Sequence, residues 1–149
     1  CLIGNVLGGF VLGFLFAGTS VINPDMAEYL GHMVAAKQAY ILDGHYLDLF
    51  LRAILCNFFI NISMLIVYSG NAKSDGAKMI AMYVGIFIFV YLGLEHSVAN
   101  SVLFAMTFWY DLIHGTSILV LSDAFWNVVV ALIGNLIGGG VLIGAYCSF

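Results

Sequence analysis

Polar residues punctuate this chain at wide intervals, and the stretches between them are almost wholly apolar. Nothing from Cys1 to Pro24 is charged, and Cys1–Gly18 reads as a helix. A second uncharged stretch, Ala53–Ala72, reads as a helix that begins near Leu49 and ends near Gly70. A third, Met79–Tyr110, is interrupted only by Glu95-His96, and a fourth runs from Ala124 to Phe149. A helix needs about 20 residues to cross bilayer hydrocarbon, so the pattern predicts four crossings.

The connectors differ in character. Asn23-Pro24 has the form of a helix start, with Asn as cap and Pro in the first turn. After it, Met26, Tyr29, Leu30, Met33, Ala36 and Tyr40 recur at helical spacing among Asp25, Glu28, His32 and Lys37. This predicts an amphipathic helix over 25–42, lying in the membrane interface. Asp43-Gly44 then turns the chain, and Ser69–Gly76 is a short polar turn. Asp111–Asp123 reads as a longer connector. Lys73 and Lys78 flank one face, whereas the opposite connectors hold Lys37, with Arg52 at the membrane edge. The positive-inside rule then places the C-terminus on the cytoplasmic side.

Composition agrees with this picture. Of 149 residues 63 % are hydrophobic and 8 % charged, with four Lys or Arg against eight Asp or Glu. Mean hydropathy is +1.08. Soluble domains carry about 25 % charged residues to surface themselves. The chain is therefore read as an integral membrane protein, without the basic surface of a nucleic-acid binder. Cys1 opens directly into an apolar run with no charged region before it, which suggests a piece of a longer protein rather than a signal peptide. Cys1, Cys56 and Cys147 follow no pairing or ligand spacing, so neither a disulfide framework, a metal site nor a cofactor is expected.

Two internal features point further. Gly4-Asn5-Val6-Leu7-Gly8-Gly9 near one end matches Gly134-Asn135-Leu136-Ile137-Gly138-Gly139 near the other. Glycines in membrane helices let backbones approach closely, so Gly4, Asn5, Gly8, Gly134, Asn135 and Gly138 are candidate helix-packing residues. A duplicated unit of three crossings would place the last helix of one unit and all of the next in this chain. The other feature is the third run, too long for a straight crossing. Gly93-Leu94-Glu95-His96-Ser97 lies at its middle, where adjacent ionisable residues are costly unless they face protein or water. The expected arrangement is a discontinuous helix, non-helical over Gly93–Ala99, followed by a short second half. Half-helix N-termini bring free N–H groups to the bilayer midplane, a place for an anion.

These residues carry a resemblance. Arg52-Ala53-Ile54-Leu55-Cys56-Asn57, Gly93-Leu94-Glu95-His96-Ser97-Val98-Ala99-Asn100 and Gly134-Asn135-Leu136-Ile137-Gly138-Gly139 resemble, in order, three motifs of the formate/nitrite transporter family, which also includes hydrosulfide channels. The resemblance runs from that family's third helix to the end of its sixth. It implies an all-α, aquaporin-like fold of six membrane helices with inverted repeats, whose second and fifth helices are broken. It also implies a homopentamer in which each protomer passes small monovalent weak-acid anions. His96 corresponds to the single pore histidine between two apolar constrictions. Asn57, Asn100, Phe89 and Ile60 correspond to further pore positions, and Gly93, Glu95 and Ser97 to structural positions at the helix break. A vestibule lysine is expected near Ile41, and Lys37, one helical turn earlier, is its candidate. Ser101 stands where the family has Met, and Ala53 where it has Gly. The family's second helix, with its constriction and a threonine beside the histidine, has no counterpart here.

The chemistry follows from the cost of charge in hydrocarbon. An anion crosses an apolar constriction far less readily than its neutral acid. Histidine titrates near neutrality, so His96 could hand a proton to the incoming anion or simply present a positive charge to it. Other readings stand beside this one. His96 could be a helix–helix hydrogen bonder in a non-transporting structural membrane protein. An intramembrane enzyme would need a nucleophile facing a histidine, and Ser97 is adjacent to His96, where helical side chains do not face each other.

Overall fold

The computed structural model describes residues 2–147. Cys1, Ser148 and Phe149, which the pattern places in the first and last helices, lie outside the described residues. Every regular element in it is helical: α1 Leu2–Ala17, α2 Pro24–Leu42, α3 Tyr46–Tyr68, α4 Asp75–Tyr91, α5 Ser97–His114 and α6 Leu121–Asn135. A π-helical segment, Leu136–Ile143, continues α6 and ends in the short turn α7, Gly144–Tyr146. Among the described residues two helical stretches are long and apolar enough to cross a membrane, Tyr46–Tyr68 and Leu121–Ile143, with mean hydropathies of 2.0 and 1.9.

The helix ends follow local chemistry. Asn23 caps α2 by accepting the Met26 N–H at 2.8 Å, with Pro24 in the first turn. Ser74 caps α4 by accepting the Ala77 N–H. The third apolar run is two helices of similar length, so its second half is not short. The non-helical stretch is also shorter than the sequence suggests. It covers Leu92–His96, and Ser97–Ala99 are already helical. The connector expected over Asp111–Asp123 shrinks to residues 115–120. Asp111 is the reason. From inside α5 its carboxylate accepts the N–H groups of Ile118 (3.0 Å) and Leu119 (2.9 Å) and the Thr116 hydroxyl, which folds the loop back onto the helix.

The chain divides into two units, Cys1–Tyr46 with Ser97–Val129, and Leu47–His96 with Val130–Phe149. In the first, α1 and α2 pack on α5. The close approach on α1 is made by Gly9 and Gly13, where a Cβ would sit 2.6 Å from the Val102 side chain and 2.9 Å from the Met106 nitrogen. Gly4 and Gly8 have no atom within 4 Å of such a Cβ, and Asn5 is exposed. The expected packing role of Gly4, Asn5 and Gly8 is thus not seen among the described residues, because α5 meets α1 on a different face. A cluster of Val34, Phe104 and Ala124 forms the apolar centre of this unit. The buried face of α2 is Leu30, Val34, Gln38 and Ile41, whereas Met26, Tyr29 and Met33 point outward. Of the apolar stripe read from the sequence, Leu30 is thus buried, whereas Met26, Tyr29, Met33 and Ala36 face outward. Gln38 turns inward because its Nε2 finds the Val120 carbonyl at 2.7 Å.

In the second unit α3 is the central element. α4 crosses it where Gly85 meets Ser63, with no room for a Cβ. The α6–π segment crosses it where Gly134 faces Ala53 and Phe50, and Gly138 faces the Ile54 carbonyl. Across both units the usual distribution is inverted. Glu95, Ser97, Asn100, Thr107, Asn127 and Asn135 are buried, while Phe14, Tyr83, Phe87, Phe125 and Trp126 are about half exposed or more. Such a surface suits hydrocarbon rather than water.

Candidate functional site

The site is built around the interruption between α4 and α5. Gly93 ends α4. It takes φ +60°, a left-handed conformation that costs a residue with a Cβ about 1 kcal/mol or more. The Gly93 N–H bonds to Val90 O at 3.1 Å and the Leu94 N–H to Phe89 O at 2.9 Å. This paired pattern stops a helix while satisfying its last carbonyls. The chain then runs through buried Leu94 and Glu95 to half-buried His96. The Phe89 and His96 rings lie 6.2 Å apart between centroids, so the expected constriction residue and the expected pore histidine are neighbours.

The interruption is held from α3 and α6. Asn135 is buried, and its Nδ2 carries two hydrogens. They reach the Ala53 carbonyl at 2.8 Å and the Glu95 carbonyl at 2.9 Å. One carboxamide thus joins α3, α6 and the residue before His96. Asn57 Nδ2 donates in turn to the Asn135 carbonyl at 2.8 Å, where the α-helix gives way to the π-helix. There the bonding reaches one residue further back, as in the Gly144 N–H to Gly139 carbonyl bond. Such widened turns are frequent at functional sites. At the other edge of the interruption, Arg52 holds Asp48 by its Nε at 3.1 Å and the Leu92 carbonyl by Nη1 at 3.4 Å.

The remaining expected residues are placed as follows. Ile60 lies with Ser63, Met64, Met82 and Ile86 around an apolar cavity of about 90 Å³. Ile86 and Phe89 are three apart on α4, so this cavity and the Phe89–His96 pair lie along one side of that helix. In the other unit Ser97 and Asn100 are buried at the start of α5. Asn100 Nδ2 donates to Asn127 Oδ1 at 2.8 Å, and Asn127 Nδ2 to the Lys37 carbonyl at 2.9 Å. Lys37 thus enters this network through its backbone. Ser101 donates its hydroxyl to the Ser97 carbonyl.

Sequence reasoning missed Asn127, Asn61, Gly85 and the Arg52 tie. Asn127 could have been found as a lone amide in an apolar helix, where its burial needs partners. Asn61 could have been found four residues after Asn57, on the same helix face.

Comparison with known proteins completes the description. The chain is 30 % identical to the uncharacterized transporter YwcJ of Bacillus subtilis, over 95 % of this chain and 52 % of that protein. It is 26 % identical to the formate channel FocA of Haemophilus influenzae, over 97 % of this chain and 55 % of that one. It is 26 % identical to the nitrite transporter NirC of Escherichia coli, over 95 % and 50 %. The chain therefore spans about half the length of these relatives, which are named as transporters and channels rather than enzymes. The family model of the formate/nitrite transporters matches residues 1–149, and the chain belongs to that family.

Proposed function

We propose that the protein containing this chain passes small monovalent anions of weak acids, formate, nitrite or hydrosulfide, across a cell membrane. His96 is the central group of the passage, as proton donor or as positive charge. The observation that carries this is the placement of half-buried His96 beside Phe89, on a non-helical stretch whose backbone is held by Asn135. An apolar ring next to an ionisable one resists wetting by hydrated ions, while the imidazole offers an anion the charge or proton it needs. The relatives named as a formate channel and a nitrite transporter support the substrate class. The proposal extends to an aquaporin-like protomer with inverted repeats, a homopentamer, and a multi-pass topology with a cytoplasmic C-terminus. Glu95 serves the break structurally, Asn57 and Asn100 border the passage, and Lys37 lies in its vestibule. The other reading, a non-transporting structural component, requires a dry and packed surrounding for His96.

The test is flux of formate, nitrite and hydrosulfide into liposomes holding the full-length protein, at two pH values, with His96→Phe beside it. The expected outcome is selective, pH-dependent flux that falls about tenfold or more in the variant, because an uncompensated charge inside the membrane costs several kcal/mol. Folded protein that carries none of the three anions would return the chain to the structural reading.

A further inference from the structure

We propose that Asn61 is a specificity-determining residue of the passage, a second carboxamide one helical turn beyond Asn57 that favours oxygen-bearing anions over hydrosulfide. The inference rests on the His96 reading above and adds a residue to it. Asn57 and Asn61 are four apart on α3, so they share a face and lie about 6 Å apart along the axis. Asn61 Nδ2 donates to the Asn57 carbonyl at 2.8 Å, which fixes its carboxamide along that face. Opposite them stands Gly139, in the π-helical segment. A Cβ there would lie 2.5 Å from Asn61 Nδ2 and 3.4 Å from Asn57 Nδ2. Both amide nitrogens therefore lie against the bare backbone of position 139, where a side chain would displace them.

Each amide spends one N–H, Asn57 on the Asn135 carbonyl and Asn61 on the Asn57 carbonyl. Among the described residues, the second N–H and the Oδ1 of both meet no partner. Both residues are only partly buried. Amide N–H groups bind oxygen acceptors well and sulfur poorly. Formate and nitrite each present two oxygens, and hydrosulfide presents none. A second amide therefore helps the first two anions more than the third, whose charge sits on one larger and more diffuse sulfur.

The experiment measures flux of the three anions into liposomes containing the full-length protein with Asn61→Leu, which keeps volume and removes the hydrogen bonds. Formate and nitrite flux should fall about tenfold, the scale of one lost hydrogen bond to a charged group, with hydrosulfide changed less than about twofold. Asn61→Gln, which restores an amide, should recover part of the loss. Asn61→Ala, which cannot overpack, takes the place of the leucine variant if that one misfolds. An equal fall for all three anions, or no change, overturns the role of Asn61. Flux that depends on His96 with an unaltered anion ratio overturns only this inference, whereas no flux in the unsubstituted protein overturns both.

Discussion

Asn135 shows what one side chain can settle. A free carbonyl in hydrocarbon costs several kcal/mol, and the interruption exposes carbonyls that a continuous helix would pair. Asn135 supplies a donor to the Glu95 carbonyl and to Ala53 with a single amide. It reaches both because Gly134 and Gly138, on either side, let the backbones of α6 and α3 touch. Gly138→Ala should therefore be among the most damaging small substitutions. The added methyl would collide with the Ile54 carbonyl, a backbone atom that cannot swing aside. The expected loss is about 1–3 kcal/mol, read as a lowered melting temperature of the purified full-length protein. Gly140→Ala is the control, since a Cβ there meets only the flexible end of Leu136, at 3.2 Å. The repeat made Gly138 and Asn135 legible in the sequence. It could not show that α5 meets α1 at Gly9 and Gly13, because a shared motif says nothing of which neighbour is present.

At the level of elements, buried amides join helices whose outer faces are apolar. Asn100 and Asn127 tie α5 to α6, and Asn127 continues to the Lys37 carbonyl on α2. In a membrane, apolar side chains gain little by leaving lipid, so such bonds and close packing hold helices together. A double-mutant cycle of Asn100→Leu and Asn127→Leu in the full-length protein should give a coupling of about 0.6–1.7 kcal/mol. Coupling indistinguishable from zero would mean that each amide acts alone. The same setting bears on the outward stripe of α2. Apolar periodicity marks the buried side only when the other side meets water. Here Gln38 is drawn inward by a carbonyl, and Met26, Tyr29 and Met33 are left outside. Helix ends were easier to read, since Asn23-Pro24 and Gly93 act within a few residues of themselves, Asn23 by its side chain and Gly93 by its backbone.

For the whole molecule, composition alone pointed to a membrane, and the third uncharged run, read as one interrupted helix, is two helices of similar length. The interruption was legible as a conflict, because Glu95 and His96 sit where hydrocarbon excludes charge. Its length was not, since the extent of Leu92–His96 is set by partners distant in sequence, Arg52 and Asn135. The flux experiment with His96→Phe belongs to this scale, for it reads the proposed activity of the full-length protein rather than any one contact.

The bond from Asn135 to Glu95 also has a consequence in time. The two residues are 40 positions apart, and ribosomes add about 5–20 residues per second. The His96 segment thus leaves the ribosome several seconds before the side chain that fixes its backbone. During that interval the Glu95 carbonyl has not yet met the Asn135 amide that it accepts in the folded chain. Nascent chains of the full-length protein stalled before Asn135 emerges should keep this segment open to protease or to a thiol probe at position 96, and chains stalled well after it should not. If protection is equal in the two cases, the segment matures without its amide. On the expected outcome a helix made later completes a backbone arrangement laid down earlier.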